Sequence, residues 1–74
     1  MWREGTIIIN KNGYYYWVKH FDKGSQFGID GGRISKLIIK RGGEIVCNYD
    51  RGWDIKPVDE DTEFALAILV KDYN

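Results

Sequence analysis

The chain has 74 residues, of which 43% are hydrophobic and 15% aromatic, and its formal net charge at pH 7 is zero. This length fits a single domain, residues 1–74, with one small core, and it leaves limited room for an elaborate enclosed active site. The only cysteine, Cys47, excludes an internal disulfide and a cysteine-rich zinc site, and no apolar run is long enough to span a bilayer. We therefore expect a soluble, cytoplasmic protein.

The charges are unevenly distributed along the chain. Residues 1–56 hold ten Lys/Arg against six Asp/Glu, whereas residues 57–74 hold one against five. Such an asymmetry can give a basic face that attracts anionic partners. The alternative is that the acidic residues simply decorate the start of a helix.

Two β-prone segments follow the first few residues. Residues 5–10 are rich in β-branched side chains, residues 14–21 are rich in aromatic ones, and Asn12-Gly13 lies between them. An Asn-Gly pair between two such segments is a strong hairpin signal. We predict an antiparallel pair of strands over 5–10 and 14–21.

The second of these strands carries aromatic side chains on both faces, because alternate residues of a strand point in opposite directions. One face receives Tyr14 and Tyr16, and the other receives Tyr15 and Trp17. A single core can bury only one of these pairs. The other pair could stack single-stranded nucleic acid, or it could form an interface with a protein or with a second copy of the chain.

Residues 22–32 show neither helical nor alternating periodicity and are predicted to form an ordered loop. Alternation returns over residues 34–40 and 44–50, which are separated by Arg41-Gly42-Gly43. We predict a second hairpin. Its predicted core face consists of Leu37, Ile39, Ile45, Cys47 and Tyr49.

A helix is predicted over residues 60–73. Asp59 is a favourable N-cap, and the acidic residues of the first turn complement the positive end of the helix dipole. Leu66, Leu69, Val70 and Tyr73 recur at helical spacing. The expected fold is therefore α+β, with a four-stranded antiparallel sheet of two consecutive hairpins and one C-terminal helix packed on one face.

Catalytic and metal-binding patterns are weak. A Cys-His nucleophile would need Cys47 in contact with His20, whereas Cys47 is predicted to point into the core. The acidic residues at 59–63 have the spacing of a helix cap, and the glycines match no phosphate-binding fingerprint. We assign no catalytic residue, no metal site and no cofactor, and we expect no enzymatic activity.

Two loops are the candidate ligand-binding segments: Asp30-Gly31-Gly32-Arg33 and Asp50-Arg51-Gly52-Trp53. They flank the second hairpin, so both lie at the same end of the sheet. Arg33 and Arg51 could hold an anion, the amides around the two glycines could add N–H donors, and Trp53 could stack on a base.

Each of these loops also has a purely structural explanation. In that explanation the glycines are present because a tight connection needs a positive φ at Gly31 or Gly32. Trp53 would then cover one end of the core, and Arg51 would pair with Asp50 or Asp30. Both explanations remain open on the sequence alone.

Three segments together resemble a family of very small proteins of unknown function: Met1-Trp2-Arg3-Glu4-Gly5-Thr6, residues 27–37, and Asn48-Tyr49-Asp50-Arg51-Gly52-Trp53-Asp54. The resemblance spans nearly the whole chain. It implies an origin in low-GC Gram-positive bacteria, their phages and mobile elements. Small proteins in that setting often act by binding, for instance by blocking a host defence protein or sequestering a nucleotide signal.

The leading hypothesis is a non-enzymatic binding module, a phage or mobile-element accessory protein with an anti-defence role. Its ligand would be an anionic, nucleotide-like small molecule held at a composite site of the two loops. The alternative is a protein-interaction or self-assembling module, a homo-oligomer or a binder of a host protein, that uses the exposed aromatic strand. A nucleic-acid partner is favoured less than these, and a membrane partner is not expected.

Overall fold

The computed structural model describes residues 1–74. It confirms the α+β class, with an antiparallel sheet and one C-terminal helix. The strands follow one another in the order β1-β2-β3-β4-β5. The elements are β1 (Trp2–Ile9), β2 (Asn12–His20), β3 (Ile34–Arg41), β4 (Glu44–Asp50), β5 (Trp53–Ile55) and α1 (Glu60–Tyr73).

The prediction of four strands is wrong, because a short fifth strand extends the sheet. β5 pairs antiparallel with β4, placing Trp53 opposite Tyr49 and Ile55 opposite Asn48. Three residues are too few to show an alternating pattern, and the nearby Pro57 indicated a loop. The extra strand therefore left no signal in the sequence.

The first hairpin turns two residues earlier than the sequence predicted. Asn10 and Lys11 form the turn with φ values of 49° and 69°, and Asn12 begins β2 opposite Ile9. Two consecutive positive φ values are typical of the type I′ turn that suits a hairpin. The earlier turn lets β1 pair along its whole length, so that Trp2 lies opposite Lys19.

Replacing Lys11 with glycine should stabilise the protein. A side chain at positive φ is strained, and glycine relieves that strain at the second position of this turn. We expect the Lys11→Gly variant to gain about 0.5–1 kcal/mol in free energy of unfolding, measured by urea denaturation. A loss of stability would show that the Lys11 side chain contributes more than its backbone strain costs.

The second hairpin turns at Gly42 and Gly43, whose φ values are also positive. An irregularity follows in β4: Ile39 pairs with Cys47, but Lys40 pairs with Ile45, so Val46 is an extra residue. The prediction of Ile45 in the core is therefore wrong, since it is 41% exposed while Val46 is buried. A β-bulge shifts the alternation by one residue and so exchanges the two side chains.

The helix covers one face of the sheet. Asp59 caps it: the carboxylate accepts from the amide of Thr62 at 2.9 Å and from Nη1 of Arg41 at 2.7 Å. The hydrogen bonds from Thr62 and the bond from Arg41 lower the pKa of Asp59 to about 2. This confirms the predicted cap and ties the start of the helix to the end of β3.

The core lies between α1 and the sheet. Its fully buried side chains are Tyr14, Val18, Ile34, Leu37, Ile39, Cys47, Thr62, Ala65 and Leu69. Ile7, Tyr16 and Val70 are among the partly buried residues that pack around it. α1 has 14 residues and is neither long nor apolar enough to cross a membrane. We call the sheet surface opposite the helix the open face.

Candidate functional site

The open face carries three rows of side chains that run across neighbouring strands, because directly paired residues point to the same side of an antiparallel sheet. Each row contains one aromatic residue, and only in the middle row does that residue have a polar neighbour on one side and an apolar neighbour on the other. The rows are Trp2, Lys19, Lys36 and Asp50; Glu4, Trp17, Ile38 and Asn48; and Thr6, Tyr15, Lys40 and Ile45. Aromatic and cationic side chains are thus interleaved on one surface.

The structure decides which aromatic pair of β2 is exposed. Tyr14 is fully buried and Tyr16 partly buried on the helix side. Tyr15 and Trp17 are 38% and 41% exposed, and their rings meet edge to face at 5.9 Å. The indole nitrogen of Trp17 donates a hydrogen bond to the carboxylate of Glu4, which fixes the ring orientation.

One end of the open face leads into a basic groove with a volume of about 470 Å³. Four of its eight lining side chains are cationic and none is acidic, which gives it a positive field. The groove is lined by Lys19, Phe21, Lys23, Ser25, Phe27, Ser35, Lys36 and Arg51. The acidic start of α1 lies at the other end of the sheet, beside Arg41 and Asn10.

Cations and aromatic rings alternate along this groove. The guanidinium carbon of Arg51 lies 4.8 Å from the ring centre of Phe27. The ammonium of Lys19 lies 5.4 Å from the ring of Phe21 and 5.7 Å from that of Trp2. Contacts of this kind hold the cations over aromatic faces without neutralising them. Both phenyl rings are about half exposed and available for stacking.

Arg51 is held in an unfavourable backbone conformation. Its φ is 59°, a value that favours glycine, and its amide donates to the carbonyl of Ser35 at 2.9 Å. The predicted pairing of Arg51 with Asp50 or Asp30 does not occur, because Asp50 pairs with Lys36 at 3.8 Å and Arg51 makes no ion pair. The strained residue therefore presents an unneutralised cation to the groove.

The Asp30-Gly31-Gly32-Arg33 loop has a structural role. Gly31 has the positive φ of 70° that a tight connection needs, and Asp30 also has a positive φ. The amide of Gly31 donates to the carbonyl of Gly28, and that of Gly32 donates to Ile29. These two N–H groups are therefore engaged within the chain rather than pointing at a ligand.

The same loop receives Asn74, which follows the helix. The side-chain amide of Asn74 donates to the carbonyl of Ile29 at 2.9 Å, and its side-chain oxygen accepts from the amide of Ile34 at 2.9 Å. Nε of Arg33 donates to the main-chain oxygen of Asn74 at 3.4 Å. We call this set of hydrogen bonds the Asn74 clamp.

The structure brings the two loops together but not their functional groups. The bond from Arg51 to Ser35 joins the exit of β4 to the entry of β3, as expected for neighbouring strands. However, Arg51 lines the basic groove, whereas Arg33 takes part in the Asn74 clamp. Trp53 lies edge-on to Tyr49 at 5.0 Å, and neither it nor Asp30 lines the groove.

Several groove residues were missed by the sequence reasoning. Lys23, Ser25 and Phe27 belong to the segment interpreted as a loop without periodicity, whereas Phe21 was predicted as the last residue of the second strand. Phe27, an aromatic residue within a mostly polar segment, was the available signal, because exposed aromatic residues in ordered loops often contact ligands. The loop lies against the residues that lead into β3, as the bond from the amide of Phe21 to the carbonyl of Arg33 shows.

The other reactive side chains lie away from the groove. Burial raises the pKa of the Cys47 thiol to about 12, the opposite of what an activated thiolate needs. Burial also lowers the pKa of His20, whose ring lies 5.2 Å from that of Tyr73. No three His, Cys, Asp or Glu side chains are grouped so that they could hold a metal ion.

A family model described as a domain of unknown function (DUF7678) matches residues 1–74. No curated protein and no solved structure matches the chain.

Proposed function

The chain belongs to the DUF7678 family over residues 1–74, and we propose that it is a small non-enzymatic binding module that holds an anionic, nucleotide-like ligand in the basic groove. The observation that carries this proposal is the lining of the groove: four cations, two exposed phenyl rings and no carboxylate. Such a combination suits a ligand with both a phosphate and a flat ring.

Each part of the groove has a role in this binding. Lys19, Lys23 and Lys36 would hold phosphate as point charges, while the fork-shaped guanidinium of Arg51 would donate two hydrogen bonds to one phosphate. The base would stack on Phe27 or Phe21. The unpaired guanidinium of Arg51 supports this proposal, because it lines a groove that has no carboxylate and makes no ion pair within the chain.

The resemblance described above suggests the biological role. We propose that the protein is an accessory protein of a phage or mobile element that acts in the cytoplasm and counters a host defence by sequestering a nucleotide signal. Binding without turnover suits that role, because a protein that sequesters a signal needs only to hold it. Arg33 has no part in the proposed site.

The Arg51→Gly variant tests this proposal. Glycine relieves the positive φ, so we expect the free energy of unfolding to stay level or rise by about 1 kcal/mol while binding weakens at least tenfold. The measurement is thermal shift with nucleoside mono-, di- and triphosphates and cyclic dinucleotides. A ligand at ten times its Kd should raise the melting temperature of a domain this size by about 8 °C.

The matched control is Lys11→Gly. It also replaces a cation at positive φ, but at the far end of β2 from the groove. It should gain stability and keep every ligand-induced shift. If no nucleotide shifts the melting temperature of the parent protein, the proposed function is wrong; if Arg51→Gly binds as the parent does, the groove is not the site.

A second candidate function is protein interaction or self-assembly through the open face. The observation that favours it is the number of large apolar side chains left exposed there, including Trp2, Tyr15, Trp17 and Ile8. Sedimentation velocity over a hundredfold range of concentration tests self-assembly. A mass that stays at one chain throughout would count against a homo-oligomer.

A further inference from the structure

The basic groove does not end at Lys36. That side chain also lines a second groove of about 330 Å³, which runs over the sheet past Ile38, Asn48 and Asp50 to Trp2 and Trp17. The two tryptophans line a third groove of about 280 Å³ together with Glu4. The three grooves share residues and form one path across the open face from β4 to β1.

The chemistry of this path changes along its length. The basic groove is cationic, and the sheet surface next to it presents two exposed indoles, Trp2 at 56% and Trp17 at 41%. On the neighbouring strand β3, Lys40 lies opposite Tyr15, and Lys36 lies opposite Lys19 and lines the same groove as Trp17. With strands about 4.8 Å apart, crossing from β4 to β1 spans about 14 Å, which is more than one mononucleotide needs.

We propose that the open face binds a short single-stranded oligonucleotide, whose terminal nucleotide occupies the basic groove and whose following bases stack on Trp17 and Trp2. This inference rests on the proposed function, because it takes the groove as the first of several nucleotide positions. Aromatic platforms flanked by cations bind single strands without sequence preference, since every base has a flat face.

Charge favours a single strand over a protein partner at this surface. Lys19, Lys36 and Lys40 lie in two rows of the same face, whereas its carboxylates are engaged in contacts within the chain. Asp50 pairs with Lys36, and Glu4 accepts the indole hydrogen of Trp17. Glu4 therefore orients the stacking ring at the far end of the path. Asn48, in the same row as Trp17, donates its side-chain amide hydrogen to Asp54 at 3.1 Å, and its side-chain oxygen is left to accept from the edge of a base.

The experiment measures affinity against length. Calorimetric titration with thymidine monophosphate and with oligothymidylates of two, four and eight nucleotides should show affinity rising at least tenfold from one nucleotide to four. The affinity for four nucleotides should also fall steeply with added salt. Trp17→Ala should weaken the affinity for the four-nucleotide strand about tenfold and change the affinity for the monophosphate by less than twofold. Trp17→Phe should bind both ligands well.

Trp53→Ala is the matched control, because Trp53 is 40% exposed but lines none of the three grooves. It should retain the parent's length dependence. Monophosphate binding without a gain in affinity with length would overturn this inference and leave the proposed function standing. If neither the monophosphate nor the longer strands bind, both are wrong. Equal losses of affinity for the four-nucleotide strand in Trp17→Ala and Trp53→Ala would also overturn it. So would a concentration-dependent dimer that Trp17→Ala abolishes, if affinity does not depend on strand length.

Discussion

The Leu69→Ala variant should lose about 3 kcal/mol of its free energy of unfolding. Leu69 is 1% exposed and lies on the helix face that packs against the sheet. Removing its side chain takes apolar surface out of the core and leaves a cavity, and both effects are destabilising. A domain of this size has a total stability of about 4–11 kcal/mol, so this one change removes a large share of it.

The neighbouring Ile68 provides the control. It is of similar size but 42% exposed on the outer side of α1. Ile68→Ala should therefore cost less than about 1 kcal/mol. Equilibrium unfolding in urea, followed by circular dichroism, measures both variants. Equal losses in the two would mean that the helix does not pack on the sheet through Leu69.

The second large effect is expected in the Asn74 clamp. Asn74→Ala leaves the amide of buried Ile34 without its partner. It also removes one of the two hydrogen bonds to the carbonyl of Ile29, which keeps the bond from the Gly32 amide. Leaving a buried amide unsatisfied costs more than the net value of the bond itself. We expect a loss of about 2 kcal/mol in free energy of unfolding, measured by the same urea denaturation.

Asn74→Asp separates the two halves of the clamp. Aspartate keeps an acceptor for the Ile34 amide but has no hydrogen to donate to the Ile29 carbonyl. Its stability should fall between those of the parent and Asn74→Ala. If Asn74→Ala unfolds at the same urea concentration as the parent, the loop at Asp30-Gly31-Gly32-Arg33 does not depend on Asn74.

The parts of the fold that the sequence predicted well are those set by local chemistry. The cap at Asp59 and the helical spacing that ends near Tyr73 depend on residues close together in the chain. The strands β3 and β4 likewise follow from regular alternation around a glycine pair. These features need no knowledge of what packs against them.

The errors arose where a distant partner decides the outcome. Asn12-Gly13 satisfies the local rule for a turn, yet the turn lies at Asn10 and Lys11, where β1 can pair out to Trp2. Regular alternation with Cys47 would point Ile45 into the core, but the bulge at Val46 turns it to the opposite face. Neither the number of residues that pair between β1 and β2 nor the bulge in β4 can be predicted from the nearby residues.

Only part of the candidate site could be predicted, because distant residues decide the rest of it as well. Neighbouring strands bring the two loops together, and that follows from topology alone. The direction in which each side chain points does not follow from topology. Arg51 turns towards Phe27 and Arg33 towards Asn74, residues that are distant in the chain and that no spacing rule connects to them.

The order of the elements along the chain also bears on how the protein folds during synthesis. Every strand pairs with its sequence neighbour, so the sheet can form step by step as it leaves the ribosome. α1 comes after all five strands. Until it is made, one side of the sheet presents Tyr14, Val18 and Leu37 to water, and a nascent chain stalled at this stage would be prone to aggregate.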